Sequence, residues 1–469
     1  MEGKTYILVI AGIYMLLMIA IGFIGKQRAK KATDYLLCGR NLGILMTSAT
    51  IAATQIGAGV IVGGATTGME SGIWPGMYYA LSCGLGCIVS GCFIAGKMRA
   101  AEAVVPMDYF EARYGQKKIT RFWAWLSNVP SLLGVFVAQI LACGSIFSAF
   151  GVSYHAGALI CAIVILIYSS LGGMWSVAIG DFIQIIIIIV CIPICAIIAV
   201  TQAGDAGAVF GTPFIPQGMF GQFVYLVSPM LVSIAVSYDA FMRYQSSKDY
   251  KTAKWGCIIG GLVTIVIGTF ASAIGVAGHI LFPDASSESI FAYTIGETAG
   301  PVLSAFAIVA VLAAAMSSGN GLLIGLGASF SKDFYNGLLH PDKKMEELPH
   351  SKTIARTTII LACILGTFIS FKLTNILDAI ILFNYPYMGS MLIPLYASLL
   401  SKNSTAKGCY FAMVGGGIVG VFAFMGGLGL IPLKSDWGLF IAYAVSLVIM
   451  FAVSAGDKQN RVPMVKQDF

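Results

Sequence analysis

Charged side chains are scarce. Asp, Glu, Lys and Arg make up 10% of the 469 residues against 58% hydrophobic ones, and there are only four His. That balance excludes a soluble globular protein, because too little polar surface exists to cover so much apolar mass. Room for a separate catalytic domain is also missing, since the longest polar connections are 98–120 and 331–353. Ten of the eleven Cys, all but Cys38, sit within or at the ends of apolar stretches and lack His or acidic neighbours at ligand spacing. They read as small hydrophobes, not as a metal site or a disulfide framework. With no His/acid or Cys/His constellation in the apolar stretches, the chain does not read as an enzyme.

What the sequence does have is long apolar runs. Thirteen can be drawn, at roughly 5–24, 42–69, 73–96, 122–149, 155–171, 175–200, 221–240, 255–282, 300–330, 354–371, 376–400, 408–430 and 437–456. Each reaches or approaches the ~20 residues that cross a bilayer as helix. Helices are required because lipid cannot satisfy free backbone N–H and C=O groups. With the N-terminus outside and the C-terminus cytoplasmic, all of the 28 Lys and Arg except Lys4, Lys372 and Lys434 fall on the inner side. Positive residues resist translocation, so this segregation supports the span count and a place in the cell membrane. The net charge of +7 then belongs to loops facing anionic lipid, and a nucleic-acid partner is not indicated. The basic cluster Lys26–Lys31 follows the first span instead of preceding it, so that span reads as a retained helix.

The expected fold is an all-α polytopic membrane protein. Its segments are a leading helix and inner loop (1–41), a first five-span repeat (42–200), a second with its preceding outer loop (201–400), and two trailing helices with a tail (401–469). Five is odd, so the second repeat crosses with opposite polarity. Inverted repeats of this kind place a binding site near the midplane, where the first helix of each half is interrupted. Two stretches carry the signs of interruption. Thr54, Gln55, Gly57 and Gly59 lie mid-span in the first half, and Ser228-Pro229 with Ser233 and Ser237 break the run in the second; a helix-internal Pro frees a carbonyl.

Candidate chemistry gathers at few positions. Ala314, Ser317 and Ser318 share a helix face, and their neutral hard oxygens suit Na+. Asp181 is the most conspicuous ionisable group inside a span, read either as hydrated from the cytoplasmic side or as a cation partner on an inward route. Asp239 reads as interfacial, and Arg243 belongs to the inner set. No Lys or Arg is expected at mid-span, so a solute carboxylate would meet helix N-termini, backbone N–H groups or bound Na+. Polar candidates for a midplane pocket are Thr54, Gln55, Tyr78, Ser82, Gln139, Ser233, Ser237, Asn384 and Tyr385.

Several motifs resemble one known family. Ser170-Leu171-Gly172-Gly173-Met174-Trp175-Ser176-Val177 with Asp181 and Gln184 looks like a signature of the sodium:solute symporters. Ala314-Ala315-Met316-Ser317-Ser318 looks like their sodium motif, and Met242-Arg243 with Ser247-Lys248-Asp249 is similar to an inner loop. The resemblance implies a LeuT-like five-plus-five core and Na+-driven import of a small organic solute by alternating access, the monomer being the functional unit. It implies a main Na+ site on the carbonyls of Ser48, Ile51 and Ala314 and the hydroxyls of Ser317 and Ser318. Asp181 matches an aspartate that some members use for a second Na+, with hydroxyls three and four positions after Ser317; here those are Asn320 and Gly321. Some members carry an acid where this chain has Thr50. Gln55 matches a substrate-contacting position of sugar carriers. A proton-coupled or exchange carrier of the same fold stays open, with Asp181 as its proton site. A membrane sensor or channel is the remaining alternative, without a signalling domain or filter motif to support it.

Overall fold

The computed structural model describes residues 2–463 except 116, 150, 205, 288, 374–375 and 434–436. Asp205, Lys434 and Lys466 therefore lie outside the described residues, as do the side chains of Lys4, Pro229 and Asp378. Sixteen helices carry the architecture, in chain order α1 (Glu2–Arg28), α2 (Ile44–Gln55), α3 (Gly64–Ser71), α4 (Ile73–Phe93), α5 (Pro106–Tyr114), α6 (Lys118–Ala149), α7 (Tyr154–Gly172), α8 (Met174–Ala203), α9 (Phe220–Ser233), α10 (Tyr238–Gln245), α11 (Tyr250–Leu281), α12 (Pro301–Ala328), α13 (Ser351–Ser370), α14 (Ile376–Leu400), α15 (Ala406–Gly427) and α16 (Gly438–Gly456). Among the described residues β-structure is limited to isolated bridges such as Leu42 with Ser247. Among the described residues ten helices are long and apolar enough to cross a membrane, or up to twelve spans if each of two bent pairs counts as one. Leu16, Leu361, Phe368 and Val448 are 63–67% exposed, an outward apolar surface that suits lipid.

Small residues let the central helices touch backbone to backbone. A Cβ on Gly275 of α11 would lie 2.0 Å from the carbonyl oxygen of Ala65 in α3, and one on Gly261 would lie 2.4 Å from that of Gly84 in α4. With no hydrophobic drive between helices in lipid, such close packing is the main source of cohesion.

Both bent pairs fall in the expected halves. The first span is bent by 56° between α2 and the segment Gly59–Ser71, and the second by 42° between Phe220–Val236 and α10. The first break, at Ile56–Ala58, is where the glycines predict it. The second differs: α9 runs through Pro229 to Ser233, and the chain turns at Ile234–Ser237, with Ser237 extended (φ −73°, ψ 139°). The reason is the available acceptor partners. Carbonyls near this turn are met by tyrosines, Tyr396 to Val232 (2.7 Å), Tyr244 to Ala235 (2.6 Å) and Tyr387 to Val236 (2.7 Å). Buried backbone groups freed from a helix need such partners.

Candidate functional site

The first break, the second break and the middle of α12 meet around one cavity of about 50 Å³. Gly57 lets α12 come close: a Cβ there would lie 2.6 Å from Ser318 Oγ. Ser318 Oγ donates to the Thr54 carbonyl at 2.7 Å, and the Ala58 amide at the break donates to Gln139 Oε1 at 2.9 Å.

Ser317, one residue before Ser318, points elsewhere. It donates to Asp181 Oδ1 at 2.5 Å, while Thr50 Oγ1 donates to Asp181 Oδ2. Both serines thus commit their protons to acidic or carbonyl oxygens. A hydroxyl has one proton and two lone pairs, so each keeps lone pairs for a cation. α2 also ends here, at Gln55, where the Ile56 N–H meets the Ala52 carbonyl and Ser318 meets that of Thr54. This donor set fits Na+, a hard cation that prefers neutral oxygen ligands. Among the described residues no group of three or more His, Cys, Asp or Glu stands ready for another metal.

Asp181 is fully buried, which corrects the reading of it as a carboxylate hydrated from the cytoplasmic side. Arg243 requires a larger correction. Read as an inner-loop charge, it is completely buried, with Nη2 3.4 Å from Asp181 Oδ2. Its Nε donates to the Thr50 carbonyl (3.0 Å) and Nη1 to the Asp239 carbonyl (2.9 Å). Because the chain turns at Ser237, α10 carries Arg243 back into the bundle. Space for the guanidinium comes from Gly321, where a Cβ would lie 2.2 Å from Arg243 Nη2. Asn320, the other position matched to a second Na+, accepts at Oδ1 from Ser169 Oγ at 2.5 Å. Asp181 and Asn320, the residues matched to a second Na+, are thus engaged by Arg243 and by Ser169.

Of the expected pocket residues, Thr54, Gln55, Gln139, Ser237 and Asn384 line the cavity. Tyr78, Ser82, Ser233 and Tyr385 lie outside its lining, each engaged elsewhere. Tyr78 donates to the Phe214 carbonyl within an aromatic cluster with Phe223 (ring centroids 5.0 Å apart), and Ser82 donates to the Val227 carbonyl. Ser233 turns to the sulfur of Met230, and Tyr385 packs its backbone on Gly420, where a Cβ would lie 2.4 Å from its carbonyl. Asp239 and Ser131 line the cavity without having been singled out for it. Asp239 is the correction of consequence: instead of lying at the interface it stands at the second break. Its spacing of two after Ser237 was the available signal.

Residues 35–416 match the profile of the Sodium:solute symporter family. The chain belongs to that family. As a sodium:solute symporter it is a secondary transporter that moves a small organic solute with Na+, and it is not an enzyme. A sodium/proline symporter of Staphylococcus aureus (strain bovine RF122 / ET3-1) is 24% identical over 97% of this chain and 93% of its own length. Among solved structures, a Na+-coupled sialic acid symporter in a substrate-bound outward-open state superposes with TM-score 0.76 at 16% identity, covering 98% of this chain and 99% of the other. A nucleobase-cation-symport-1 family transporter in a closed conformation gives 0.61 at 11% identity, over 92% and 96%. At these identities the structural likeness establishes the fold.

Proposed function

We propose that this symporter imports its solute with one Na+ per cycle, held by the carbonyls of Ser48, Ile51 and Ala314 and the hydroxyls of Ser317 and Ser318. The observation that carries the reading is the junction of the first break with α12: Ser318 on the Thr54 carbonyl and Ser317 on Asp181. The named relatives, a sodium/proline symporter and a Na+-coupled sialic acid symporter, support the coupling ion. Na+ between α2 and α12 joins the two elements whose separation would open the cavity, and a ligand shifts a conformational equilibrium only by its differential affinity. The solute occupies the cavity lined by Thr54, Gln55, Gln139, Ser237 and Asn384. Arg243 replaces a second Na+ beside Asp181. One charge crossing per cycle draws about 2.3 kcal/mol from each 100 mV of membrane potential.

The architecture that goes with this reading has thirteen spans, counting α14 with the twelve. One helix leads, ten form a LeuT-like pair of inverted five-span repeats, and two trail. The N-terminus is outside, the C-terminus cytoplasmic, and the monomer is the working unit. Labelling of single cysteines on a Cys-free background is expected to reach Ser287 from outside and Lys118 and Lys344 from inside. One swapped position breaks the topology and the repeat built on it.

Ser317→Ala and Ser318→Ala are each expected to raise the Na+ concentration for half-maximal uptake on the order of tenfold, the effect of losing one ligand worth about 1.4 kcal/mol. Tracer uptake against Na+ at matched expression measures this. An unchanged Na+ requirement in both variants removes these serines from the site. Transport undiminished in Na+-free buffer would instead favour proton coupling.

A further inference from the structure

We infer that the solute carries a positively charged nitrogen and that Asp239 is its counter-charge. This rests on the symport reading of the cavity and names the class of solute it takes. Among the described residues that line the cavity, Asp239 is the one carboxylate, and no Lys, Arg or His joins it. Among the described residues the two fully buried acids each have a resident cation: Asp181 has Arg243, and Asp333 has Arg121, which Asp108 and Glu111 share. Arg243 is four residues along the same helix, yet it gives Asp239 only a hydrogen bond to the main-chain carbonyl and directs its charge at Asp181. The Asp239 side chain takes a single hydrogen bond among the described residues, from Ser237 Oγ. Asp239 is half-buried, its charge faces the cavity uncompensated, and a carboxylate partly withdrawn from water gains from the arrival of a cation.

The hydrogen-bonding inventory points the same way. Most donors at the cavity wall are already committed. The Ala58 amide goes to Gln139, Ser318 to the Thr54 carbonyl, Ser131 to Asn384 Oδ1, and Asn384 Nδ2 to the Ile380 carbonyl. Acceptors remain in the Asp239 carboxylate and the spare lone pairs on Gln139 and Asn384, while the buried Thr54 hydroxyl, which has no partner, can accept or donate. α2 ends in the wall at Gln55, presenting the negative end of its dipole. This part of the wall suits N–H donors or a quaternary nitrogen. Gln55 and Tyr79 line the remainder, with donors enough for the neutral or anionic end of a zwitterion.

Asp239 also stands in the first turn of α10, where an acid favours the helix N-terminus. That role alone would touch stability and leave solute selectivity unchanged, so the two are separable. The full-length purified protein is tested in Na+ with matched compounds: pyrrolidine as cation, proline as zwitterion, cyclopentanecarboxylate as the anion of the same ring, and choline beside its uncharged carbon isostere. Thermal shift and tracer uptake are read for each. The expected result is binding and uptake of at least one nitrogen cation or zwitterion and none of the isosteres lacking the charge. Asp239→Asn is expected to weaken that solute on the order of 30-fold or more, as truncation of a buried charge pair does, while the shift produced by Na+ alone stays; Asp239→Glu recovers most of the affinity. The inference is overturned by preferred binding of the carboxylate or the uncharged isostere, by no binding of any nitrogen cation or zwitterion, or by unchanged affinity in Asp239→Asn. A persisting Na+ shift in those cases leaves the symport reading standing, whereas loss of every Na+ effect in the parent protein brings down that reading itself.

Discussion

Replacing Arg243 by Ala is expected to abolish transport and to lower the stability of the purified protein by about 3–5 kcal/mol. Arg243 and Asp181 are both fully buried, 3.4 Å apart at their nearest atoms. Neither has water to turn to. Without the guanidinium, Asp181 keeps only the hydroxyls of Thr50 and Ser317, which cannot neutralise its charge. The Thr50 and Asp239 carbonyls lose their donors too. Asp181→Asn leaves the opposite charge stranded and is expected to slow transport, with solute binding in the cavity kept. The informative variant is the double one, Asp181→Asn with Arg243→Gln. Removing a buried pair together is often close to neutral, so stability should return while each single variant remains poor. Thermal melts of the four proteins measure the coupling. In Arg243→Ala the space beside Gly321 opens next to Asp181, and Na+ is expected to raise the melting temperature of this variant more steeply than that of the parent. Single variants as stable as the parent would show that the pair carries no structural charge. A flux ratio of two Na+ per solute in the parent protein would sink the assignment of Arg243 to the second cation's place.

The second large effect is expected at Arg121, near the start of α6. Its guanidinium meets Asp108 (2.6 Å) and Glu111 (2.5 Å) of α5 and Asp333 (2.7 Å) in the continuation of α12, Ser329–Leu339. Tyr238, the first residue of α10 and next to the cavity-lining Ser237 and Asp239, donates to the same Asp333. One cation therefore ties three elements across the basic end of the bundle, below the cavity. Burial pushes the Glu111 carboxyl above its ordinary value; at Asp108 burial is outweighed by Arg121 and Lys332, which hold that carboxyl below it. Arg121→Ala leaves three acids facing Lys332 alone, whose amino group is 3.7 Å from Asp108. The expected loss is again about 3–5 kcal/mol, together with a tie whose rupture lets the basic end open. Labelling of a cysteine placed at Leu322, in the cavity wall, should become faster from the inner side. Arg121→Lys should not restore the parent behaviour, because a point charge cannot reach three carboxylates as a planar fork does. Unchanged labelling with lowered stability would make the cluster a structural clamp with no gating part.

The membrane class, the helical content and the place of the first break could be read directly from residues, because each depends on local composition. Apolar runs of span length admit only helix in lipid, and Thr54, Gln55, Gly57 and Gly59 interrupt such a run by their own chemistry. Helix periodicity groups Ser317 and Ser318 on one side of α12, but it does not tell that Ser318 meets the Thr54 carbonyl while Ser317 meets Asp181. The second break was legible only as to its half of the chain. Pro229 suggested its place, but the turn at Ile234–Ser237 is set by tyrosines from α10 and α14 that satisfy its carbonyls. The roles of the charges were not legible at all. Arg243 belongs by sequence to a run of basic residues near a span end, and Asp239 looks like its interfacial neighbour. Their depth follows from the 42° bend and from Gly321 across the bundle, which makes room for a guanidinium. The sequence by itself determined which segments meet lipid and which oxygens line one helix face. Only the tertiary structure decided which buried acid is neutralised and which is left to the cavity, because charge compensation depends on partners tens to hundreds of residues apart, brought together by packing.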